Sequence, residues 1–280
     1  MACNRRRATE DAASRAEGTT RLTLEYDGRD FAGWARQPGR RTVEAELERA
    51  LAVVLRRERV PLTVAGRTDA GVHARAQVAS YEGPPAPPHK LNALLPDDVA
   101  VLASEAVAPG FSARHDATSR AYCYRVLVRR SRSAFERGRA LWWPHAFDRE
   151  ALDACAAVLL GTHDFTAFTP TETEHVRFER DVRCAGWRPD PAHPDVLAFW
   201  IEADAFMRNM NRILVGSMLE VAGGRRSVAD FAALLDGAPR ERAGKTAPPE
   251  GLYLVGVGYD GRAVIAGDPP STIPGRCASC

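Results

Sequence analysis

Hydrophobic and polar residues alternate along several short stretches of the first 110 positions, and this period of two predicts β-strands. The predicted strands are 20–26, 59–64, 77–82 and 99–107. Apolar residues at helical spacing behind Thr42 predict a helix that runs to about Arg57. A shorter helix is predicted at 89–95 and ends at Pro96. The order strand, helix, strand, strand, helix, strand is that of one ferredoxin-like unit.

The second half of the chain predicts the same order of elements, although it is not a literal repeat of the first. Its predicted strands are 121–128, 182–187, 196–203 and 251–257, and its predicted helices are 148–160, 205–222 and 228–235. We therefore predict an α+β fold of two ferredoxin-like halves, 19–112 and 113–264. Their antiparallel sheets are fused, the helices pack on one side, and a cleft for a large ligand lies between the halves.

The two ends of the chain lack a hydrophobic period. Residues 1–18 are polar and predict a disordered leader, whose arginines either contact RNA or are simply solvated. Residues 265–280 predict a loose tail. Cys277 and Cys280 form a C-x-x-C in that tail, but without a second pair or nearby histidines we interpret them as free thiols and expect no metal site.

Composition limits the function classes without choosing one. The chain has 280 residues, 45% of them hydrophobic and 26% charged, which suits one large or two modest globular domains. Because no apolar run approaches the roughly 20 residues of a membrane span, and the start is polar, we expect a cytoplasmic protein without a membrane partner. The formal net charge is only +2, but arginine far outnumbers lysine, which is weak support for phosphate contacts.

Candidate chemistry is concentrated at residues 65–74. There the strand 59–64 leads into a loop in which Gly66 and Gly71 flank a cation, a hydroxyl and a carboxylate, those of Arg67, Thr68 and Asp69. Such a loop can fix a carboxylate at the rim of a cleft. It can equally be an Asx-type turn in which Asp69 bonds its own backbone and Arg67 is solvated.

Two further segments carry aromatic rings of undecided role. Residues 31–37 combine Phe31 and Trp34 with Arg36 and Gln37, so the rings either stack on a nucleic-acid base or anchor the loop. Residues 163–168 allow a capped loop with two anchoring phenylalanines.

The segment 66–73, Gly-Arg-Thr-Asp-Ala-Gly-Val-His, resembles the active-site signature of the TruA-type tRNA pseudouridine synthases. The resemblance extends from about Thr20 to Asp260 and keeps the family's motifs in order. It implies isomerisation of uridines at positions 38, 39 and 40 in the tRNA anticodon arm, by a homodimer that needs no cofactor or metal. Recognition of tRNA by shape and backbone charge would weaken at high salt.

The resemblance also implies roles for individual residues. Asp69 would be the nucleophile or would assist proton removal from the ribose, and Arg67 would steady the space that the flipped base leaves. Because RNA covers Asp69, a cation must keep it ionised, and Arg212 matches the family's paired arginine. Tyr122 would stack on the uracil. Arg120 and an apolar wall from Leu254 or Leu252 would complete the substrate site.

Three positions depart from the family pattern. Ala35 stands where glutamine is usual, Ala121 where a second basic residue is common, and Asn211 where an apolar residue is usual. Two other classes of function stay open. One is a non-catalytic tRNA-binding or folding protein on the same scaffold. The other is phosphoryl transfer through Asp69, which would call for a metal-binding carboxylate nearby; the loop itself contains none.

Overall fold

A single sheet organises the computed structural model, which describes residues 18–173 and 175–265. The strands are β1 (Thr19–Tyr26), β2 (Thr63–Val64), β3 (His73–Glu82), β4 (Val99–Val107), β5 (Ser119–Leu127), β6 (Leu141–Trp142), β7 (Gly161–Asp164), β8 (Glu179–Asp190), β9 (His193–Ala203) and β10 (Leu252–Gly258). Their order across the sheet is β4-β1-β3-β10-β5-β9-β8-β7, with β2 added to β3 and β6 added to β5.

Five α-helices and several single turns of 3-10 helix connect these strands in the described part of the chain. The helices are α1 (Val43–Leu55), α2 (Pro88–Asn92), α3 (Arg149–Ala157), α4 (Met210–Ala222) and α5 (Val228–Ala232). The 3-10 turns are Gly28–Asp30, Thr166–Phe168, Ala233–Leu235, Arg240–Arg242 and Pro249–Gly251.

The strand order contains two copies of the ferredoxin-like arrangement. One is β4-β1-β3-β2 and the other is β10-β5-β9-β8, so in each copy the first and third strands are central. The predicted fold class, α+β with a large, mostly antiparallel sheet, is confirmed. Two strand pairs, β3 with β10 and β5 with β6, are parallel, and the first of them joins the two copies. The division at residue 112 stays a prediction.

One hydrophobic core lies on the helix side of the sheet. On β1 the side chains of Leu22 and Leu24 are fully buried, whereas Glu25 between Leu24 and Tyr26 is exposed, as a strand with one covered face requires. Tyr124 of β5 belongs to the same apolar cluster as these leucines and as Leu47 of α1. Full burial of a large apolar side chain contributes about 1.5–3 kcal/mol to the stability of the fold. Because residues of both copies belong to one cluster, this core holds the copies together.

The long second-half helix starts later than its apolar pattern predicts. We expected it from Ala205, but α4 begins at Met210, because Asn209 has a left-handed backbone with φ of 61°. The carboxylate of Asp204 accepts a hydrogen bond from the Ala205 N–H at 2.7 Å, which favours a turn there. Arg208 therefore precedes the helix instead of lying one turn from Arg212.

Other differences are small. The strands β6 and β7 were not predicted, because two and four residues are too few to show a period, and β7 carries mostly polar side chains. The predicted leader and tail, with Cys277 and Cys280, lie outside the described residues except for Gly18 and Ile265. Within residues 18–173 and 175–265, no helix is both long and apolar enough to cross a membrane.

The buried carboxylate of Glu202 provides a test of the fold. Its oxygens accept hydrogen bonds from Ser119 Oγ at 2.6 Å and from the Val264 and Ile265 N–H groups at 2.9 and 2.8 Å. In Glu202→Gln an amide N–H would face one of these donors. We expect the free energy of unfolding to fall by about 1–3 kcal/mol, measured by urea denaturation.

The matched control is Glu105→Gln, which changes an exposed carboxylate paired with Arg21. It should alter the free energy of unfolding by no more than about 0.5 kcal/mol. Equal stability of the two variants would contradict the role of Glu202 in fastening residues 264–265 to the sheet.

Candidate active site

The signature segment leaves the sheet at the point where two strands share one edge of β3. On that edge β2 pairs with Ser80 and Ala79, while β10 pairs with His73 and Ala74. Residues 65–72 connect the end of β2 to the start of β3, so they pass between the two pairings. The segment is therefore brought against β5 and β10 of the second copy.

Buried hydrogen bonds fix the segment from below. Thr68 Oγ1 lies 2.7 Å from Tyr26 Oη, and Gln77 Nε2 donates to the Gly66 carbonyl at 2.7 Å and to Tyr26 Oη at 3.2 Å. Burial raises the pKa of Tyr26 to about 12, so its hydroxyl stays neutral. The backbone N–H of Trp34 also donates a hydrogen bond to the Thr68 carbonyl at 3.0 Å. Sequence reasoning did not assign a role to Gln77. The feature that could have identified it is a long polar side chain within a strand that is mostly buried.

Asp69 turns its side chain away from its own backbone. Its main-chain carbonyl accepts from the Val72 N–H at 3.1 Å, and Gly71 follows with φ of +80°, a conformation that only glycine adopts easily. A Cβ at Gly71 would lie 2.9 Å from Pro249 Cγ, so space as well as conformation favours glycine. The carboxylate points at Arg212, so the arrangement is the fixed carboxylate and not the Asx-type turn.

Arg212 and Asp69 come together across 143 residues of sequence. Arg212 Nη1 lies 3.4 Å from Asp69 Oδ2, a distance too long for a strong hydrogen bond but close enough for charge pairing. Two hydrogen bonds hold the Arg212 guanidinium in place. Nε donates to the Ala247 carbonyl at 2.8 Å, and Nη1 donates to Asn209 Oδ1 at 3.0 Å. Sequence reasoning missed Asn209, whose left-handed backbone carries no sequence signal beyond the residue type.

The Asp69–Arg212 pair contributes little to the stability of the fold. The Asp69 side chain is 36% exposed and that of Arg212 is 16% exposed. A solvent-exposed pair contributes only about 0–1 kcal/mol to stability. The exposure leaves the carboxylate accessible to a large ligand, with the anchored guanidinium beside it.

Tyr122 lies beneath the signature segment. A Cβ on Gly66 would be 3.3 Å from Tyr122 Oη, and the ring packs edge-to-face on Phe206 with centroids 5.0 Å apart. Burial, with a smaller contribution from nearby Tyr26, raises the pKa of Tyr122, so its hydroxyl is neutral. Leu254 pairs with Tyr122 across β10 and β5 and is fully buried in the hydrophobic core.

The two remaining predicted arginines differ sharply. Arg67 is exposed, and among the described residues its side chain makes no hydrogen bond or ion pair. Arg120 is half-buried, and all five guanidinium N–H groups have carbonyl acceptors. Nε and Nη2 both reach Ala65 O at 3.2 Å, and the other N–H groups donate to Arg114, Ala117 and Asp204 at 2.7–2.9 Å. Arg120 thus fastens Ala65, the residue directly before the signature segment, to the second copy.

His73, the last residue of the signature, is structural in this arrangement. Its ring stacks on Tyr253 of β10 with centroids 4.5 Å apart. Nδ1 lies 3.1 Å from the Gly28 nitrogen and 3.2 Å from Asp27 Oδ1. Burial lowers the pKa of the imidazole, so the neutral ring accepts from the Gly28 N–H and does not form an ion pair with Asp27.

The aromatic segments with open roles prove to be anchors. Phe31 is 4% exposed and Trp34 is 1% exposed, so neither ring is available for stacking on a base. Phe165 and Phe168 are fully buried, and Asp164 caps their turn by accepting from the Thr166 N–H at 2.8 Å. Over residues 18–173 and 175–265, no group of three or more His, Cys, Asp and Glu side chains could hold a metal ion.

The positions that depart from the family pattern are partly or fully covered. Ala121 is fully buried on β5, and Ala35 packs against the core. Asn211 is 5% exposed, and its Oδ1 has no hydrogen-bond partner among the described residues. A basic side chain at position 121 would have to be buried, so alanine there removes no accessible RNA contact.

The family model and the curated relatives that match this chain are of the same kind. Residues 155–260 match the family model described as tRNA pseudouridine synthase. A tRNA pseudouridine synthase A from Geobacillus sp. (strain WCH70) is 39% identical over 86% of this chain and 98% of the relative. The protein of that name from Myxococcus xanthus is 40% identical over 91% of this chain and 95% of the relative. A solved Cbf5-Nop10-Gar1 complex aligns with 84% of this chain and 57% of its own at 9% identity and a TM-score of 0.36.

The packing of α4 against residues 244–247 gives a test of how Arg212 is held. A Cβ at Gly216 would overlap the Lys245 carbonyl oxygen and lie 3.0 Å from its carbon. Alanine in a helix normally gains about 1 kcal/mol over glycine. We expect Gly216→Ala instead to lower the free energy of unfolding by about 1–3 kcal/mol in urea denaturation, because Lys245 and Ala247 must move.

Gly186→Ala is the matched control, since no neighbouring heavy atom lies within 4 Å of the added Cβ. This variant should be neutral or slightly stabilising. A stabilised Gly216→Ala would show that the 244–247 segment is not closely packed on α4.

Proposed function

The chain belongs to the tRNA pseudouridine synthase A family, and from that premise we propose that it isomerises uridine to pseudouridine at positions 38, 39 and 40 of the tRNA anticodon stem-loop, with Asp69 as the nucleophile. The match to these two relatives covers 98% and 95% of their lengths. No cofactor or metal takes part in the reaction we propose.

The observation that carries the proposal is the Asp69–Arg212 pair. A carboxylate on a fixed loop, 36% exposed and 3.4 Å from an anchored guanidinium, is arranged to stay ionised beneath a polyanion. Phosphate groups of bound RNA would otherwise favour its protonation. Arg212 lies with its Nε and Nη1 already hydrogen-bonded, so it does not have to reorganise when RNA binds.

The reaction breaks the C1′–N1 glycosidic bond, rotates the uracil and forms a C1′–C5 bond. In our proposal Asp69 attacks C1′ as N1 leaves, and the ester bond breaks when C5 takes its place. The C5 proton is then lost and N1 gains a proton, so the product is an isomer of the substrate. Tyr122 is 7% exposed below the loop, so the stacking on uracil that the resemblance implies requires its ring to be uncovered when RNA binds; its neutral hydroxyl is suited to donate a hydrogen bond.

The target uridine has to leave its stack before Asp69 can reach it. Unstacking costs a few kcal/mol, which contacts with the protein must offset. Arg67 is exposed two residues from Asp69 and without a partner among the described residues, so its guanidinium is free to fill the vacated space. We propose that Arg120 acts differently from the substrate contact expected from sequence. With its five N–H groups donated to four backbone carbonyls, it positions the loop and does not bind RNA directly.

The proposal includes two properties of the whole enzyme. The homodimer follows from the family resemblance. The cytoplasmic location is proposed from the tRNA substrate.

Asp69 is tested by tritium release from tRNA labelled at C5 of uridine. We expect Asp69→Asn to reduce release by at least about 1,000-fold, because the amide is not a nucleophile, while filter binding shows nearly unchanged tRNA affinity. The control is Asp153→Asn, an exposed carboxylate on α3 that pairs with Arg149. It should release label at the wild-type rate.

The outcomes separate the competing functions. Label release by the wild type but not by Asp69→Asn supports the synthase. Equal release by both proteins would remove Asp69 from the chemistry, and tRNA binding without release by the wild type would indicate a non-catalytic RNA-binding protein.

Arg120→Lys tests the positioning role. Lysine supplies three donors in place of five, so the Ala65 end of the loop loses contacts and Asp69 is displaced. We expect kcat to fall by about 10- to 100-fold with little change in tRNA affinity. A drop in affinity and in its salt dependence, at constant kcat, would instead support a phosphate contact by Arg120.

A further inference from the structure

A second surface of the molecule has the chemistry of a nucleic-acid contact. Residues 129–139 follow β5 and contain five arginines in eleven positions; we name them the arginine loop. At its tip Phe135 is 88% exposed, which is unusual for a phenylalanine side chain. The reaction we propose at Asp69 makes no use of this loop.

The base of the arginine loop is held rigidly. Glu136 is buried and pairs with buried Arg125 of β5 at 2.6 Å. The Arg139 carbonyl accepts from Arg125 Nη1 at 3.2 Å and from Tyr253 Oη at 2.8 Å. These contacts hold the loop after Phe135, and before it the Arg129 carbonyl accepts from Trp142 Nε1 at 3.0 Å, so the exposure of Phe135 is built into the fold.

Phe135 is surrounded in the sequence by arginine side chains that are free to bind an anion. The side chains of Arg130, Arg132 and Arg137 are exposed, and within the described residues none of them has a hydrogen bond or an ion pair. Glu136, the acidic residue of the loop, forms its ion pair with Arg125 and not with these arginines. A second copy of the chain would fit this surface poorly, since the cores of protein interfaces are depleted in charge. An exposed ring among unpaired guanidinium groups matches a base with its flanking phosphates.

The arginine loop lies at the end of the sheet where β3 and β10 begin. Gly138 packs against the side chain of Arg29, and Arg139 lies 3.5 Å from Asp27. Gly28, between Asp27 and Arg29, lies against the Val72 backbone of the signature segment. RNA whose target uridine is at Asp69 can therefore extend along this end of the sheet to the loop.

We propose that the arginine loop is a second RNA-binding surface, on which Phe135 stacks on an unpaired base of the substrate while Arg130, Arg132 and Arg137 contact the adjacent phosphates. This inference rests on the proposed function, because it assigns a further part of the same substrate to a surface outside the catalytic cleft. The loop would thus contribute to affinity and to the choice of RNA, and not to the chemistry.

The test compares two sets of changes in the full-length protein, with tRNA affinity by filter binding at several salt concentrations and kcat and KM by tritium release. Phe135→Ala should weaken binding by about 5- to 150-fold, the range for loss of one base stack, without changing the salt dependence. Phe135→Trp should restore binding. Changing Arg130, Arg132 and Arg137 together to glutamine should weaken binding and reduce the salt slope by about 2.

The charge-matched control changes three exposed arginines on other surfaces to glutamine: Arg59, Arg225 and Arg242. We expect the loop variants to raise KM in proportion to the loss of affinity, and this control to have a much smaller effect. Equal losses in both sets would show that total charge is decisive and would overturn the proposal. So would wild-type affinity in the loop variants, or a changed molecular mass in sedimentation, which would indicate a contact between copies.

Failure of this inference is distinguishable from failure of the proposed function. If the wild type isomerises uridine and the loop variants bind tRNA normally, only the second surface is disproved. If the wild type releases no label, the proposed function fails first. Urea denaturation midpoints of all variants should match the wild type, since the changed side chains are exposed.

Discussion

The parallel pairing of β3 with β10 is the contact on which the rest of the site depends. It consists of two residue pairs, His73 with Tyr253 and Ala74 with Leu254, on an edge of β3 that is also used by β2. Since β2 is only two residues long, it leaves room for β10, and the signature segment has to cross from one copy to the other. A longer β2 would complete the first unit and would close the edge that joins the sheets.

The buried residues of the site hold the signature segment in place, and the exposed residues are accessible to a ligand. Below the loop, Tyr26, Thr68 and Gln77 form a buried network, and Arg120 fastens the Ala65 end through backbone carbonyls. Above it, Asp69 is partly exposed with Arg212 beside it. Buried hydrogen bonds determine the position of the loop, whereas the exposed charged groups are accessible to a ligand.

Cations serve two different purposes in this molecule. Arg120 is half-buried and Arg125 is buried, and the hydrogen bonds and ion pairs of their guanidinium groups hold loops in place. Arg67, Arg130 and Arg132 are exposed, with no partner among the described residues. Residue type alone does not distinguish these groups, because each arginine has the same five donors. Only burial and the nearby carbonyls or carboxylates decide whether the donors are available to phosphate.

Local sequence determined most of the elements and the identity of the signature. Period-two and helical spacing predicted the main strands and helices to within a few residues, and a contiguous segment carried Asp69, Arg67 and the two glycines, since these features depend on neighbours in the chain. The start of α4 was missed because the backbone at Asn209 is set by tertiary contacts. The Asp69–Arg212 pair was expected from a resemblance, and no pattern in the residues required it. Only the tertiary structure brought these side chains within 3.4 Å, engaged all of Arg120 with carbonyls and left Phe135 exposed. Those outcomes depend on which strands become neighbours, and contacts between residues far apart in the sequence decide that, such as Asp69 with Arg212 across 143 positions.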